Sequence, residues 1–279
     1  MISTVKLTNG EARLKDIKNS SFIELCTIKP EDIISHDIDT IKDIVDSHLV
    51  CDTVLSPIDY ILVMLHWRNM HDGGDIIIPH NVDGKEVKLN IGKTPAIIEK
   101  VREMKFDTFI VSVEEFDIGI ELNPLSVGSD IIELFKQSAI FVVESPANIS
   151  SIELGVDTLD DLIQTQSFVD SLKRFIKSNE DNSFNIIKFK DELNIDISPL
   201  SILKFALSLI HTKIDIIYEQ KFMFINRLNS TNDHYMNSTQ QEVQALLKLT
   251  QQDIERQNAE YNKQSSSTKM PSMPKIPKH

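Results

Sequence analysis

Glycine is scarce in this sequence, and its scarcity excludes the common phosphate-binding motifs. Only 8 of the 279 residues are glycine, and none has the spacing of a P-loop or of a dinucleotide-binding turn. The G-x-S-x-G nucleophile elbow of hydrolases and the zinc motif H-E-x-x-H are also absent from the sequence. The aspartates and glutamates are scattered along the chain. These features predict a protein that is not an enzyme and that needs no cofactor.

Cysteine and long apolar runs are scarce as well. The two cysteines, Cys26 and Cys51, form no motif, so we expect no disulfide framework and a reducing compartment. No apolar run approaches the ~18 residues that a membrane helix requires. The polar opening MISTVKLTNGE does not have the pattern of a signal peptide. We therefore expect a soluble protein that is intracellular or is assembled inside a cell.

Positive charge is in the minority. The net charge is −13 and the pI is about 5.0, which argues against a general nucleic-acid surface. The segment Gln264 to His279 carries three lysines and no acid, so the negative charge belongs to residues 1–263. An acidic body with a basic tail indicates either binding to a complementary neighbour or only good solubility.

The stretch from Ser56 to Pro95 organises the chain and begins with a predicted helix. Ser56 is a good N-cap, Pro57 suits the first helical position, and Asp59 stands where a capping-box acid would be. One apolar face has helical spacing, formed by Ile58, Ile61, Leu62 and Leu65. Gly73 and Gly74 are expected to end this helix.

A hairpin follows this helix, and a second unit downstream has the same order. Strands are predicted at 76–78 and 86–91 around the Asp83-Gly84 turn. Later, 158–177 is expected to be a helix and 184–197 a hairpin. KLNIGKTPAII, which starts at Lys88, resembles ELNIDISPLSI, which starts at Glu192. Two related helix–hairpin units are therefore a hypothesis.

Periodicity also predicts the remaining elements. We expect helices at 39–49, 95–104, 129–136 and across 198–226, a hairpin at 2–15, strands at 108–113 and 116–122, and a polar connector at 229–237. The run 23–28 is a helix or a strand, and 140–143 is a strand or a continued helix. The loop between halves is placed at 146–155.

These patterns predict an α+β fold of helices and small β-hairpins, ending in a C-terminal helix and an extended tail. One large domain or two small ones would fit the length. We place an N-terminal half at 1–150 with its hairpin at 75–91, a second half at 151–229, a C-terminal helix at 230–263 and the tail at 264–279.

The predicted C-terminal helix, from Thr239 to Tyr261, has a weak coiled-coil seam. Its six positions alternate by four and three. Three of them are apolar, Val243, Leu247 and Ile254, and three carry a polar group, Thr250, Gln257 and Tyr261. Both a partner helix and the chain's own body could cover this seam, and both interpretations stay open.

The tail repeats an apolar residue and a proline every three positions, as Met270-Pro271, Met273-Pro274 and Ile276-Pro277. Polyproline II has three residues per turn, so Met270, Met273 and Ile276 would line one edge. Such a segment cannot fold alone, and it is either disordered or laid along a partner. We assign these tail residues, with the seam of the preceding helix, to partner docking.

Three histidines and one arginine are the remaining candidates for chemistry. His66, His71 and His80 surround the first hairpin, but the five-residue spacing of the first two does not put them on one helix face, and no cysteine lies nearby. We therefore expect no metal site, and we expect surface or helix-cap histidines. Arg68 is either a buried ion-pair anchor or a solvated helix residue.

The order of these pieces resembles the T4-like phage baseplate protein family, which includes a baseplate hub subunit and a hub assembly catalyst. VKLTNGEARLKDI resembles its opening strand–turn–strand, and SPIDYILVMLHWRNMHDGGDI resembles its proline-started helix and small-residue turn. EEFDIGIELNPLSVGSDIIE is similar to its Ile-Gly-Ile strand, and LIHTKIDIIYEQKFMFINRLNST to its late helix with Tyr218 and Phe222. The residues that match its structural motif positions are Pro57, Asp59, Arg68, Gly74, Gly119 and Pro124.

The chain departs from that family in two places. Many members carry paired cysteines on a hairpin, like a zinc knuckle, whereas these hairpins have none, so no metal is carried over. The Pro-Trp-Glu-Arg-rich late helix is replaced by residues 241–257.

The resemblance implies a structural component of a contractile phage tail baseplate, associated with the hub. It would be assembled in the host cytoplasm, reside in the virion tail and bind other tail proteins in a multi-copy symmetric assembly, without nucleic acid or membrane partners. Two alternatives stay open: an assembly factor that is absent from the finished particle, and an enzyme built from scattered acids with His66 or His71.

Overall fold

The computed structural model describes most of the chain and confirms an α+β fold with helices and small antiparallel sheets. The described residues are 2–51, 53–71, 75–82, 85–104, 106, 108–113, 116–127, 131–144, 161, 163–181, 184–189, 193–211 and 213–267.

The chain opens with the predicted hairpin. Strands β1 (Ile2–Leu7) and β2 (Gly10–Lys15) pair antiparallel, with Leu7 opposite Gly10. Gly10 has φ +110°, a conformation that favours glycine, which explains the Asn-Gly turn. Alternate residues of both strands are buried in the core: Val5, Leu7, Ala12 and Leu14.

Three helices follow: α1 (Asn19–Thr27), α2 (Ser35–His48) and α3 (Pro57–His71). The apolar run at 23–28 is therefore helical. The predicted face of α3 is buried, but Val63, Met64 and Trp67 on its other sides are buried too. A helix that is apolar all round belongs in the middle of a core, and α3 occupies that place.

The first helix–hairpin unit continues with strands β3 (Asp75–Val82) and β4 (Lys85–Lys93), then helix α4 (Thr94–Arg102). The strands pair antiparallel around the predicted turn, with Val82 opposite Lys85. Ile76 anchors the hairpin in the main core. The predicted helix stop at Gly73 and Gly74 and the turn residues Asp83-Gly84 lie outside the described residues.

A three-stranded antiparallel sheet follows, in the order β5 (Thr108–Val113), β6 (Phe116–Glu121), β7 (Ala139–Glu144). Helix α5 (Ile131–Lys136) lies between β6 and β7 in sequence, so the run 140–143 is a strand and not a continued helix. Gly119 is buried in the central strand, opposite Ile110 and Phe141, and Pro124 is buried just beyond that strand.

The second unit has the expected order of elements. Helix α6 (Gln166–Asp181) precedes strands β8 (Phe184–Phe189) and β9 (Leu193–Ile197), and a 3₁₀ turn (Pro199–Ser201) leads into helix α7 (Ile202–His211). Both units thus run helix, hairpin, proline-started helix. Common ancestry of the two units stays a hypothesis.

The described part of the chain ends in α8 (Ile214–Arg227), α9 (Asn232–Asn237) and α10 (Gln240–Ser267). The prediction of a polar connector at 229–237 is wrong, because this segment contains helix α9, in which Tyr235 is fully buried. The Tyr235 hydroxyl donates to the carbonyl of Ile217 at 3.0 Å, and the Tyr235 carbonyl accepts from the side-chain amide of Asn19 at 3.0 Å. The Tyr235 ring is apolar, and the hydroxyl and carbonyl of this residue are hydrogen-bonded. This explains why a segment of mostly polar composition is part of the core.

Two hydrophobic clusters organise these elements. The larger joins β1, β2 and α1–α4 with α7, α8, α9 and the start of α10. The smaller joins β6, α5 and α6. The expected division at residue 150 does not follow this packing, because residues from both sides of it contribute to each cluster.

Asp59 joins the opening hairpin to the central helix. Its carboxylate accepts from the backbone N–H of Thr8 at 2.9 Å and from the Thr8 hydroxyl at 3.0 Å, and from the N–H and hydroxyl of Ser56 at 2.9 and 2.6 Å. Asp59 is buried and lies in the first turn of α3, where the helix dipole favours a negative charge. The predicted capping acid therefore also holds the β1–β2 turn.

We predict that Asp59→Ala lowers the free energy of unfolding by about 3 kcal/mol, because four donors lose a charged acceptor. Urea unfolding would measure the change. Asp43→Ala is the control, since Asp43 is exposed on α2, and it should stay within about 0.5 kcal/mol of wild type. Equal losses in the two variants would contradict this role of Asp59.

Candidate docking surface

The first part of α10 packs against the body of the chain. Its N-terminus is capped reciprocally, because the Thr239 hydroxyl accepts from the amide of Glu242 at 3.3 Å and the Glu242 carboxylate accepts from the amide of Thr239 at 2.7 Å. Val243 is fully buried in the main core, and Leu247 is partly buried against it. The predicted seam is thus covered from within over its first turns.

The assignment of Val243 to partner docking is wrong, because its side chain is buried in the chain's own core. Leu247 also packs mostly against that core. The backbone N–H of Asn19, at the start of α1, donates to the carbonyl of Ser238 at 3.0 Å. This bond holds the segment before α10 against α1, so the start of α10 lies on the body of the chain.

The second part of α10 projects from the body. Every residue from 251 to 260 is exposed, and Ile254 keeps 40 % of its surface accessible. The side chain of Tyr261 and the whole of Met270, Pro271, Met273, Pro274, Ile276 and Pro277 lie outside the described residues. Their docking role stays a prediction, whereas Ile254 is in a position to contact a partner.

An aromatic row on α8 is the other exposed apolar feature of this region. Tyr218 is 47 % exposed and Phe222 is 69 % exposed, although Ile217 and Phe224 on the opposite side of the helix are buried. Tyr218 and Phe222 are four residues apart and share one face. Leaving a phenylalanine this exposed forgoes most of the stabilisation that its burial would give, which is typical of a binding surface.

Acidic side chains flank this aromatic row. A shallow depression is lined by Asp215, Tyr218, Glu219, Phe222 and Met223. Two carboxylates beside two aromatic rings favour a partner segment that is apolar and positively charged. Periodicity alone could not single out this row, because the apolar residues of α8 are spread around the helix; only the resemblance drew attention to Tyr218 and Phe222.

The side chains of His66 and His71 have separate surroundings. The His66 imidazole is hydrogen-bonded to the Ser3 hydroxyl at 3.1 Å, and burial lowers its pKa. His71 is buried and stacks on Phe22, with ring centroids 3.6 Å apart. The side chain of His80 lies outside the described residues. Among the described residues, no group of three potential metal ligands comes together. His71 has the expected place at the C-terminus of α3, but it is buried and is not a surface histidine.

Arg68 is a buried anchor and not a solvated residue. Its Nε donates to the carbonyl of Leu209 in α7 at 3.2 Å, and its Nη1 donates to the Thr94 hydroxyl at the start of α4. Arg68 therefore ties the central helix to the proline-started helices of both units. Of the other motif positions, Asp59, Gly119 and Pro124 are buried, Pro57 starts α3, and Gly74 lies outside the described residues.

No protein-family model, curated protein or solved structure matches this chain. In the described part of the chain, no helix is both long enough and apolar enough to cross a membrane.

We predict that His71 makes the fold less stable in acid. Burial lowers its pKa to about 3, so between that value and its ordinary pKa near 6.5 the unfolded chain binds a proton that the folded chain does not. Below about pH 6.5 the free energy of unfolding should therefore decrease as the pH decreases. This group contributes up to about 1.4 kcal/mol per pH unit to that decrease.

Urea unfolding of His71→Gln at pH 7 to 4 would test this, and the variant should lose that part of the slope. The remaining slope would include His48 and His66, whose pKa values are also lowered by burial. His36→Gln, at an exposed position, is the control. An unchanged slope in His71→Gln would refute the assignment.

Proposed function

We propose that the protein is a structural, hub-associated component of a contractile phage tail baseplate that acts by docking to neighbouring tail proteins. The observation that carries the docking role is the aromatic row of α8 with its two flanking carboxylates. The baseplate assignment rests on the family resemblance in the sequence, whose matched residues Asp59, Arg68, Gly119 and Pro124 have defined buried positions here.

The geometry suits a protein that connects others. The body presents Tyr218 and Phe222 on one helix, and the projecting half of α10 extends away from the same body. Residues 251–260 alone span about 15 Å at the helical rise, enough to reach a second neighbour. The preferred occupant of the α8 row is a basic, apolar segment of an adjacent tail subunit, since Asp215, Glu219 and the net charge of −13 attract positive charge.

We predict that the protein is present in purified tail-bearing particles at a fixed, small integer ratio per tail. Quantitative mass spectrometry, scaled against the tail-tube protein, would measure this ratio. Absence from particles, combined with abundance in extracts of infected cells, would overturn the structural role and support a released assembly factor. Absence from both tails and assembly intermediates would overturn the baseplate assignment.

We predict that Tyr218→Ser with Phe222→Ser lowers incorporation into particles at least tenfold without destabilising the fold. Both side chains are exposed, so their removal costs little folding energy. Val54→Ser is the matched control, because Val54 is an exposed apolar residue in the loop before α3. The readouts are copies per tail and the thermal midpoint. Normal incorporation of the double variant would exclude the α8 row as the docking surface.

A further inference from the structure

A positively charged cleft lies between the two hydrophobic clusters of this acidic protein. Its volume is about 740 Å³. Three lysines line it: Lys173 and Lys177 from α6, and Lys204 from α7. Among the described residues that line it, Glu31 is the one acid. Asp and Glu outnumber Lys and Arg by 42 to 29 in the whole chain, so three lysines against one glutamate reverse the sign of charge among these lining residues.

The three ammonium groups are available to a ligand. Within the described part of the chain, none of Lys173, Lys177 and Lys204 has a carboxylate or ring partner for its side chain. Lysines at neighbouring positions repel one another, and a bound anion would relieve that repulsion. The spacing of Lys173 and Lys177 places them on the same face of α6, one turn apart.

A neutral donor at the cleft adds to this charge. Ser198 and Ser201 belong to the turn that starts α7, and their hydroxyl oxygens are 2.9 Å apart. The Ser201 hydroxyl donates to the Ser198 carbonyl at 3.0 Å, which leaves the Ser198 hydroxyl to donate to a ligand. The start of a helix also carries a partial positive charge, which suits a phosphate. Ser126 also lines the cleft.

The rest of the described lining forms an apolar wall that comes from both clusters. The side chains involved are Ile33, Val127, Ile131, Leu134, Ile176, Leu200 and Leu203. Inorganic phosphate would leave this wall uncovered, and the volume exceeds what a single small ion needs. Ligand sites of several hundred Å³ with an apolar lining and a few convergent polar groups bind organic molecules.

We propose that this cleft binds a phosphorylated organic molecule of the size of a nucleotide. The phosphate lies among Lys173, Lys177, Lys204 and Ser198 at the start of α7, and the organic body lies against the apolar wall. The site joins α6 and α7, which belong to different clusters, so binding would hold these two clusters together. This role is independent of the docking surface on α8.

Isothermal titration calorimetry of the full chain with AMP, inorganic phosphate and citrate would test the proposal. We expect saturable AMP binding that weakens with added salt, and at least tenfold weaker binding of inorganic phosphate, which cannot contact the apolar wall. Citrate should bind more weakly than AMP. Citrate binding as tight as AMP binding would overturn the phosphate assignment, and equal affinities for AMP and inorganic phosphate would overturn the role of the apolar wall.

Variants assign the site. Lys177→Ala and Lys204→Ala should each weaken AMP binding about fivefold, because each removes a charged donor. Both lysines are exposed, so the fold should persist, and an unchanged thermal midpoint would confirm this. Lys248→Ala removes an exposed lysine of α10 and should leave the affinity unchanged. No saturable AMP binding by the wild type, or equal losses in all three variants, would overturn the proposal.

Discussion

The buried guanidinium of Arg68 constrains the whole molecule. A guanidinium that is removed from water needs hydrogen-bond acceptors at fixed positions, because all of its polar groups are donors. Arg68 finds them in the carbonyl of Leu209 and the hydroxyl of Thr94, on two helices that are far apart in sequence. The central helix α3 is therefore fixed to both helix–hairpin units, and displacing either α4 or α7 would take one of these acceptors away from a buried charge.

The C-terminal helices complete the same core. Tyr235 fills space between α1 and α8, and Asn19 pins the segment before α10 to the start of α1. This closure determines where α10 leaves the body and therefore which of its residues are exposed. It also leaves the aromatic face of α8 on the outside, because the opposite face of that helix is already used by Ile217 and Phe224. The docking surface and the projecting helix are consequences of one packing arrangement.

Local patterns predicted many elements but not their partners. The Asn9-Gly10 turn, the capped start of α3 and the hairpin order of both units follow from turn and capping chemistry within a few residues. The polar segment 229–237 was misjudged because its composition is polar, while the single Tyr235 decides its burial. The seam at Val243 and Leu247 had the spacing of a helix-packing face, but spacing cannot tell the chain's own core from a partner.

By itself, the sequence determined the α+β class, most element boundaries, the acidic charge and the absence of familiar catalytic motifs, because these depend on composition and on contacts within a turn or two. Only the tertiary structure decided that Arg68 and His71 are buried, that Val243 faces inward and that Phe222 faces outward. It also brought Lys204 beside Lys173 and Lys177 at one cleft. Burial and long-range proximity depend on which surfaces pack together, and that is a property of the whole chain.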